Sequence, residues 1–398
     1  MTKAAATAPG TLTDAQRRRG IICVLASMGV IGCNVGLFHP LIALNLEARG
    51  ITTTLIGLNA ATPFVAAILT APFLPRLAAR IGLVGVLLSA GAVDVVAIAG
   101  FVLVDDLAAW FVFRFVMGIG MMLHWVGSET WINAAVNDVH RGKIVGLNGA
   151  LFSAGMACGP LVLGLLGTAG TLPFLVSMGI IAASTTPFLF AFGTAPASRH
   201  RRSGDLWRAC RRAPTAMLSG FAQGILVMAL FVQLPIYGLR SGLGETTAVT
   251  LLSALVIGGS IAPLPLGWLA DHLNRRLLLI LCGAVTLASA LALPLAAGST
   301  VLLWAVLLIW GGAGGGLYTL ALVRIGELTP PEQLGAATAA FVMITHVASI
   351  AGPILLGGGM DVWDPHGFVV VTAGAAFLFV AFGALRYATV PDLPRARG

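Results

Sequence analysis

The chain has 398 residues, of which 58% are hydrophobic and only 10% charged, and its mean hydropathy is +0.96. Soluble globular proteins carry about 25% charged residues, so a soluble enzyme is excluded. The formal charge of +8 does not describe a nucleic-acid surface either, because the Lys and Arg residues are scattered between apolar runs.

The first 20 residues read as a polar tail with no long apolar core, so a cleaved signal is not expected. Twelve apolar runs follow, at 21–44, 53–75, 83–104, 108–130, 143–167, 171–193, 214–237, 247–269, 276–297, 299–325, 335–358 and 365–388. A crossing helix needs about 20 such residues, whereas a membrane barrel shows alternating strands of about ten. Backbone groups in lipid must also pair within their own segment, which leaves helices. The expected fold class is an all-α polytopic membrane protein of twelve transmembrane helices. Its expected organisation is a tail at 1–20, a six-helix bundle at 21–193, a linker at 194–213, a second six-helix bundle at 214–388 and a tail at 389–398. The linker holds six arginines and reads as a charged anchor or as a site for anionic lipid.

Charge placement gives an orientation. With the N-terminus inside, the inner segments hold Lys3, Arg17, Arg18, Arg19, Arg76, Arg80, Arg141, Lys143, Arg275, Arg276, Arg324 and Arg386 besides the linker arginines, whereas the outer turns hold only Arg49 and Arg240. The positive-inside rule then puts both termini in the cytoplasm. The outer turns collect Asp105, Asp106, Asp361 and Asp364, which contribute little to that rule. Cys23, Cys33, Cys158, Cys210 and Cys282 form no CxxC pair, so neither a disulfide framework nor a metal site is expected.

An internal repeat is visible at an offset of 192 to 194 residues. PRLAARIG at 75–82 corresponds to GWLADHLN at 267–274, Gly118/Gly120 to Gly312/Gly314, and Gly159-Pro160 to Gly352-Pro353. Parallel duplication of a six-helix bundle is one route to a pseudo-symmetric pair of bundles that rock about a site between them. With these motifs the chain resembles the major facilitator superfamily over essentially its whole length. In the stretch FRFVMGIGMMLHWVGSETWINAAV at 113–136 it is similar to the YcaD-like branch of bacterial inner-membrane transporters.

The resemblance assigns roles to several residues. The loop signature after the second helix is degraded in the first copy, where Pro75 and Ala79 replace Gly and Asp while Arg80 and Gly82 match. In the second copy Gly267, Asp271, Arg275 and Arg276 match, and a conformational latch is implied, with Asp271 accepting at a neighbouring helix N-terminus. Arg114, Gly118 and Gly120 resemble the fourth-helix R-x-x-x-G-x-G signature. Gly155, Gly159, Pro160 and Gly164 resemble a fifth-helix antiporter pattern, echoed at Gly352, Pro353 and Gly357. Close helix packing is the simpler account of these glycines.

Ionisable groups inside spans are costly and mark function by default. Asp94 falls near the middle of the third run and Arg114 about two turns into the fourth. Their depths differ by about 6 Å on the helix rise, which suggests a pair, either structural or proton-coupling. Along the fourth helix Arg114, Gly118, Met122, Trp125 and Glu129 form one stripe. Glu129 is a second proton carrier or a gate ion pair, Trp125 a substrate-stacking or packing residue, and His124 a flanking residue or a plain hydrogen-bond partner. In the family the first, fourth, seventh and tenth helices line the central path. That position makes Asn34, His39, Trp125, Gln223, Tyr318 and, on the eleventh helix, His346 the substrate-contact candidates.

No GxxxxGK[ST] loop is present, which argues against an ATP-driven pump, and GGAGGG at 311–316 lacks the strand and acid of a dinucleotide site. The expected activity is therefore transport without enzymatic chemistry, cofactor or metal, with a proton gradient as energy source. Export of a small amphiphilic or weakly cationic compound is the leading expectation. Uptake of a small metabolite and lipid translocation are the alternatives. The expected partners are a small-molecule substrate and membrane lipids, not nucleic acid, with a monomer sufficient, in a bacterial inner membrane.

Overall fold

The computed structural model describes residues 12–136, 138–195 and 213–389. Most of the expected linker at 194–213 and of the two tails lies outside the described residues. The helices are α1 (Asp14–Ala48), α2 (Thr53–Thr70), α3 (Leu74–Leu103), α4 (Leu107–Ala135), α5 (Asp138–Leu166) and α6 (Leu172–Leu189) in the first half. The second half contains α7 (Pro214–Arg240), α8 (Glu245–Ile261), α9 (Pro263–His272), α10 (Arg275–Ala296), α11 (Thr300–Leu328), α12 (Pro331–Val362) and α13 (Gly367–Thr389).

Helix ends follow local chemistry more than hydropathy. The first helix begins at Asp14, inside the expected tail, because Thr13 and Gln16 form a reciprocal capping box that satisfies its first amides. Among the described residues, eleven helical segments are long and apolar enough to cross a membrane, and one of them, Thr53–Leu103, has 51 residues. A straight helix of that length would be more than twice a bilayer core of about 30 Å. Gly82 resolves this, since its φ of 72° lies in the left-handed region that breaks a helix. The segment is thus two spans, and the count becomes twelve. The second and eighth spans also bend part-way. A short 3-10 turn at Ala71–Phe73 separates α2 from α3, and Ala262 followed by Pro263 separates α8 from α9.

The duplicated glycine motifs build equivalent seams. A Cβ on Gly155 would lie 1.9 Å from the Gly29 carbonyl oxygen and one on Gly159 2.4 Å from that of Cys33, so α5 lies backbone to backbone on α1. In the second half a Cβ on Gly352 would lie 2.2 Å from the Ile225 carbonyl, seating α12 on α7 in the same way. The halves meet along two further seams that exchange under the repeat. Gly57 of α2 meets the Pro353 carbonyl of α12, and Ser253 of α8 donates to the Ala157 carbonyl of α5 at 2.8 Å.

Consecutive spans alternate in direction. The first span starts and the twelfth ends at one end of the bundle, called here the tail face. The α1–α2 turn and its counterparts lie at the opposite end, the turn face. A core of buried aromatics supports the first half near the turn face, with Phe101 edge-on to Phe38 at 5.5 Å and to Trp110 at 5.0 Å.

Candidate functional site

A cavity of about 310 Å³ opens between the halves. Ser153 and Met156 of α5 bound it on one side, and α7, α8, α11 and Pro263 at the start of α9 supply the rest, including Gln223, Phe231, Ser260, Gly314 and Tyr318. Among the described residues, no ionisable side chain other than the Tyr318 phenol lines it. Of the expected substrate contacts, Gln223 and Tyr318 are placed on its wall. Trp125 sits 36% exposed with its ring 5.0 Å from Phe152 of α5. Glu129 is exposed beside Trp125, on the α4 face within electrostatic reach of the Tyr318 hydroxyl of the opposite half.

The glycine run of α11 is explained residue by residue. A Cβ on Gly311 would lie 1.8 Å from the Leu255 carbonyl, on Gly315 2.7 Å from that of Gly259, and on Gly316 2.8 Å from the Cys282 sulfur. These glycines allow α11 to lie against α8 and α10. Gly311, Gly314 and Gly315 all border the cavity, but Gly314 is different: a Cβ there would meet nothing within 4 Å.

A second, smaller pocket of about 30 Å³ lies wholly inside the first half and brings together Asn34, His39, Asp94 and Arg114. The expected Asp94–Arg114 pair is not formed. Arg114, 2% exposed, donates to Oδ1 of Asn59 at 3.1 Å, and its other guanidinium nitrogen lies 3.4 Å from Nδ1 of His39. Asp94, 3% exposed, packs on the α4 backbone, where a Cβ on Gly120 would lie 2.1 Å from Oδ1. That oxygen has no hydrogen-bond partner among the described residues, and neither does Nδ2 of Asn59. Similar depth is not adjacency: the rotation of α4 turns Arg114 toward α2, while Gly120, six residues on, faces Asp94 of α3. Gly118 faces α2 as well, against Pro63 and Ala66.

Other sequence candidates take structural places. Asn34 is buried and accepts from the Ser177 hydroxyl at 2.5 Å, tying α1 to α6. It belongs with His39 to the small pocket and not to the central cavity. His124 lies 2.8 Å from the Ser27 hydroxyl. His346 bonds with its Nδ1 to the Val342 carbonyl and packs edge to face with Phe64 of the opposite half, ring centroids 6.2 Å apart.

The loop motifs at the tail face separate into two outcomes. In the first copy Arg80 is exposed and Gly82 makes the break between the second and third spans. In the second copy Arg275 joins Asp271 at 3.1 Å to Glu327 of α11, which also pairs with Arg324 at 2.9 Å. Asp271 therefore does not cap a neighbouring helix. Asn274 performs that task, accepting from the amides of Arg276 and Leu277 at the start of α10. Arg276 is buried, with its guanidinium 5.5 Å from the Tyr387 ring, and a Cβ on Gly267 would meet open space. Glu327 escaped the sequence reading because only the fold brings it to Arg275.

The turn face carries polar ties between the halves. Asp361 at the end of α12 accepts from the amide and hydroxyl of Thr53, at 2.9 and 2.6 Å, and from those of Thr54, at 2.9 and 2.5 Å. Glu245 at the start of α8 accepts from the Thr168 amide at 2.8 Å and its hydroxyl at 2.6 Å. Arg240 makes two bonds to Glu47 and one to Asp364. Gln233, fully buried, donates to the carbonyls of Thr53 and Pro353.

The model of the Major Facilitator Superfamily matches residues 24–353 and, in a second alignment, 242–398. The chain belongs to this superfamily. It is 28% identical over 379 residues to the uncharacterized MFS-type transporter YfkF of Bacillus subtilis strain 168, covering 91% of this chain and 94% of the relative. An MFS-type transporter of Yersinia enterocolitica is 24% identical over 371 residues, with coverage of 91% and 94%. A bacterial homologue of the human lysosomal transporter Spinster, solved in an inward-facing and unoccupied conformation, has the same fold. Its TM-score is 0.71 at 13% identity, and the match covers 95% of this chain and 96% of that one. The molecule is thus a multi-pass membrane transporter with the major facilitator fold, two pseudo-symmetric bundles of six spans, and acts on small molecules.

Proposed function

We propose that this transporter exports a small amphiphilic or weakly cationic compound from the cytoplasm across a bacterial inner membrane in exchange for protons, by alternating access. The observation that carries the reading is the central cavity: an apolar space of about 310 Å³ between the halves, with Gln223, Ser153 and Tyr318 as polar points and Glu129 beside it. An apolar body with one polar or cationic end fits such a lining. Arginine placement supports a cytoplasmic tail face. The ties at the turn face then correspond to a closed outer side, so that the cavity exchanges with the cytoplasm.

Asp94 is the favoured proton carrier. Ionised, it would be a buried carboxylate with an unpartnered oxygen, a costly state that a proton relieves. Arg114 remains held by neutral partners in either state. Substrate and proton need only favour opposite conformations, a coupling free energy and not a chemical step. No bound cofactor enters this cycle, and one chain supplies both halves of the site, so a monomer suffices. A lipid translocator is the second reading, favoured by a predominantly apolar crevice of about 490 Å³ between α8, α9, α10 and α11 on an outer flank where Leu264 and Ile309 are exposed.

The test is a substrate-driven pH change in oriented proteoliposomes loaded with a pH dye, across a panel of amphiphilic amines, quaternary ammonium compounds, sugars and organic acids, with protein-free vesicles as baseline. With the tail face inside, release of a preloaded amphiphilic cation is expected to acidify the lumen. Alkalinisation on release overturns export by exchange in favour of symport. A flat response across the panel with transfer of a fluorescent phospholipid between leaflets overturns it in favour of lipid movement.

A further inference from the structure

The two carboxylate–threonine ties at the turn face occupy equivalent places in the duplicated chain. Asp361 and Thr168 stand 193 positions apart, and so do Thr246 and Thr53, the latter at the start of α2 and the former beside Glu245 at the start of α8. The partners are interchanged between the copies. On one seam the acid ends α12 and the threonines open α2; on the other the threonine follows α5 and the acid opens α8. Each tie crosses from one half to the other.

They also differ in strength by construction. Asp361 uses both oxygens and engages two amides of the first turn of α2, groups that a helix leaves without internal acceptors. Glu245 uses one oxygen and engages one amide and one hydroxyl. The α2–α12 seam is further tied by buried Gln233, which bonds to a carbonyl on each of its two helices, whereas the α5–α8 seam adds single hydroxyl bonds, Thr246 to the Gly164 carbonyl at 3.3 Å and Ser253 to that of Ala157 at 2.8 Å. Gly57 and Gly357 bring those backbones into direct contact, where a Cβ would lie 2.1 and 2.2 Å from the opposing carbonyls. The Asp361 tie is therefore complete only when this seam is fully shut.

We infer that these two ties are the lock of the turn-side gate, that Asp361 is its principal positioning residue, and that the gate opens first along the α5–α8 seam and last along α2–α12. When the halves part, carboxylate, hydroxyls and amides all gain water in place of one another, so the lock is reversible and needs no apolar surface to be exposed at those points. This inference rests on the alternating-access reading, and its test reads conformation in the absence of substrate.

The experiment is amide hydrogen exchange followed by mass spectrometry on the full chain in nanodiscs. In the wild type, the amides of Thr53 and Thr54 are expected to exchange more slowly than that of Thr168. Asp361→Ala is expected to speed exchange roughly tenfold at 53–54, the scale of a lost helix cap, and also to speed it on the distant seam at 165–170 and 241–250. Glu245→Ala is expected to act at 165–170 while 53–54 stay protected. Thr54→Val, which keeps the amide and deletes one hydroxyl, is expected to fall between wild type and Asp361→Ala. A change confined to 53–54 in Asp361→Ala makes the residue a local cap and overturns the inference. Faster exchange at 53–54 in Glu245→Ala overturns the order of opening.

Discussion

Asp94→Asn is expected to remove gradient-driven transport while sparing the fold, with uphill export lowered about 5- to 150-fold, the usual range of a coupling free energy. The substitution is nearly isosteric and breaks no hydrogen bond at Oδ1, which has no partner among the described residues. Exchange of labelled for unlabelled substrate at equal pH should continue, because it needs no net proton movement. Gly120→Ala offers an independent route to the same loss. Its new Cβ would stand 2.1 Å from Oδ1 and displace the carboxyl group without altering its charge. Undiminished uphill export in Asp94→Asn would remove this residue from the coupling mechanism and leave Glu129 as the carrier.

The second large effect is expected at Gly314. Leucine here projects into the central cavity, and export is expected to fall more than about tenfold through a raised KM, since it takes space from the ligand's apolar body. The melting temperature should hold or rise, because nothing lies within 4 Å of the added Cβ and glycine inside a helix costs about 1 kcal/mol relative to alanine. Gly314→Ala should transport nearly as the wild type does. Gly311→Ala, three positions earlier and also on the cavity wall, is the contrast: its Cβ would lie 1.8 Å from the Leu255 carbonyl oxygen, so here stability falls as the α8–α11 seam is forced apart. Normal transport by Gly314→Leu would place the substrate elsewhere.

Membrane spans were legible because their signal is additive: every apolar residue in a run of about 20 contributes to it. The duplication was legible for a related reason, since glycines at backbone contacts such as Gly159 and Gly352 have no substitute and reappear at one offset. Helix ends were less so. The start of α1 depended on one capping box at Thr13, and the division of Thr53–Leu103 depended on the φ of Gly82.

Side-chain partners were the least legible. Depth along a helix placed Asp94 and Arg114 together, but rotation sent Arg114 to Asn59, an unremarked polar residue of α2. Placement by helix number brought Gln223 and Tyr318 to the cavity wall, whereas Asn34, also on a path-lining helix, faces α6. The turn-face ties had no local signature at all. Thr53 and Thr54 read as an ordinary helix start and Asp361 as a loop acid; only the repeat offset, once the two seams are seen, shows that Thr168 and Asp361 are counterparts. Glu327 shows the same limit at the tail face, because its partner Arg275 comes from another helix.

The most direct test of alternating access is to close the turn face covalently and ask whether transport stops. Thr54 and Asp361 touch through their side chains at 2.5 Å, which puts cysteines at both positions within reach of an oxidised disulfide or of a short bis-methanethiosulfonate cross-linker. The double variant, in a background without the native cysteines, should export substrate when reduced, lose export when cross-linked, and recover it with dithiothreitol. Export at the reduced rate with the cross-link intact would contradict the account, because the halves would then never need to part at the turn face.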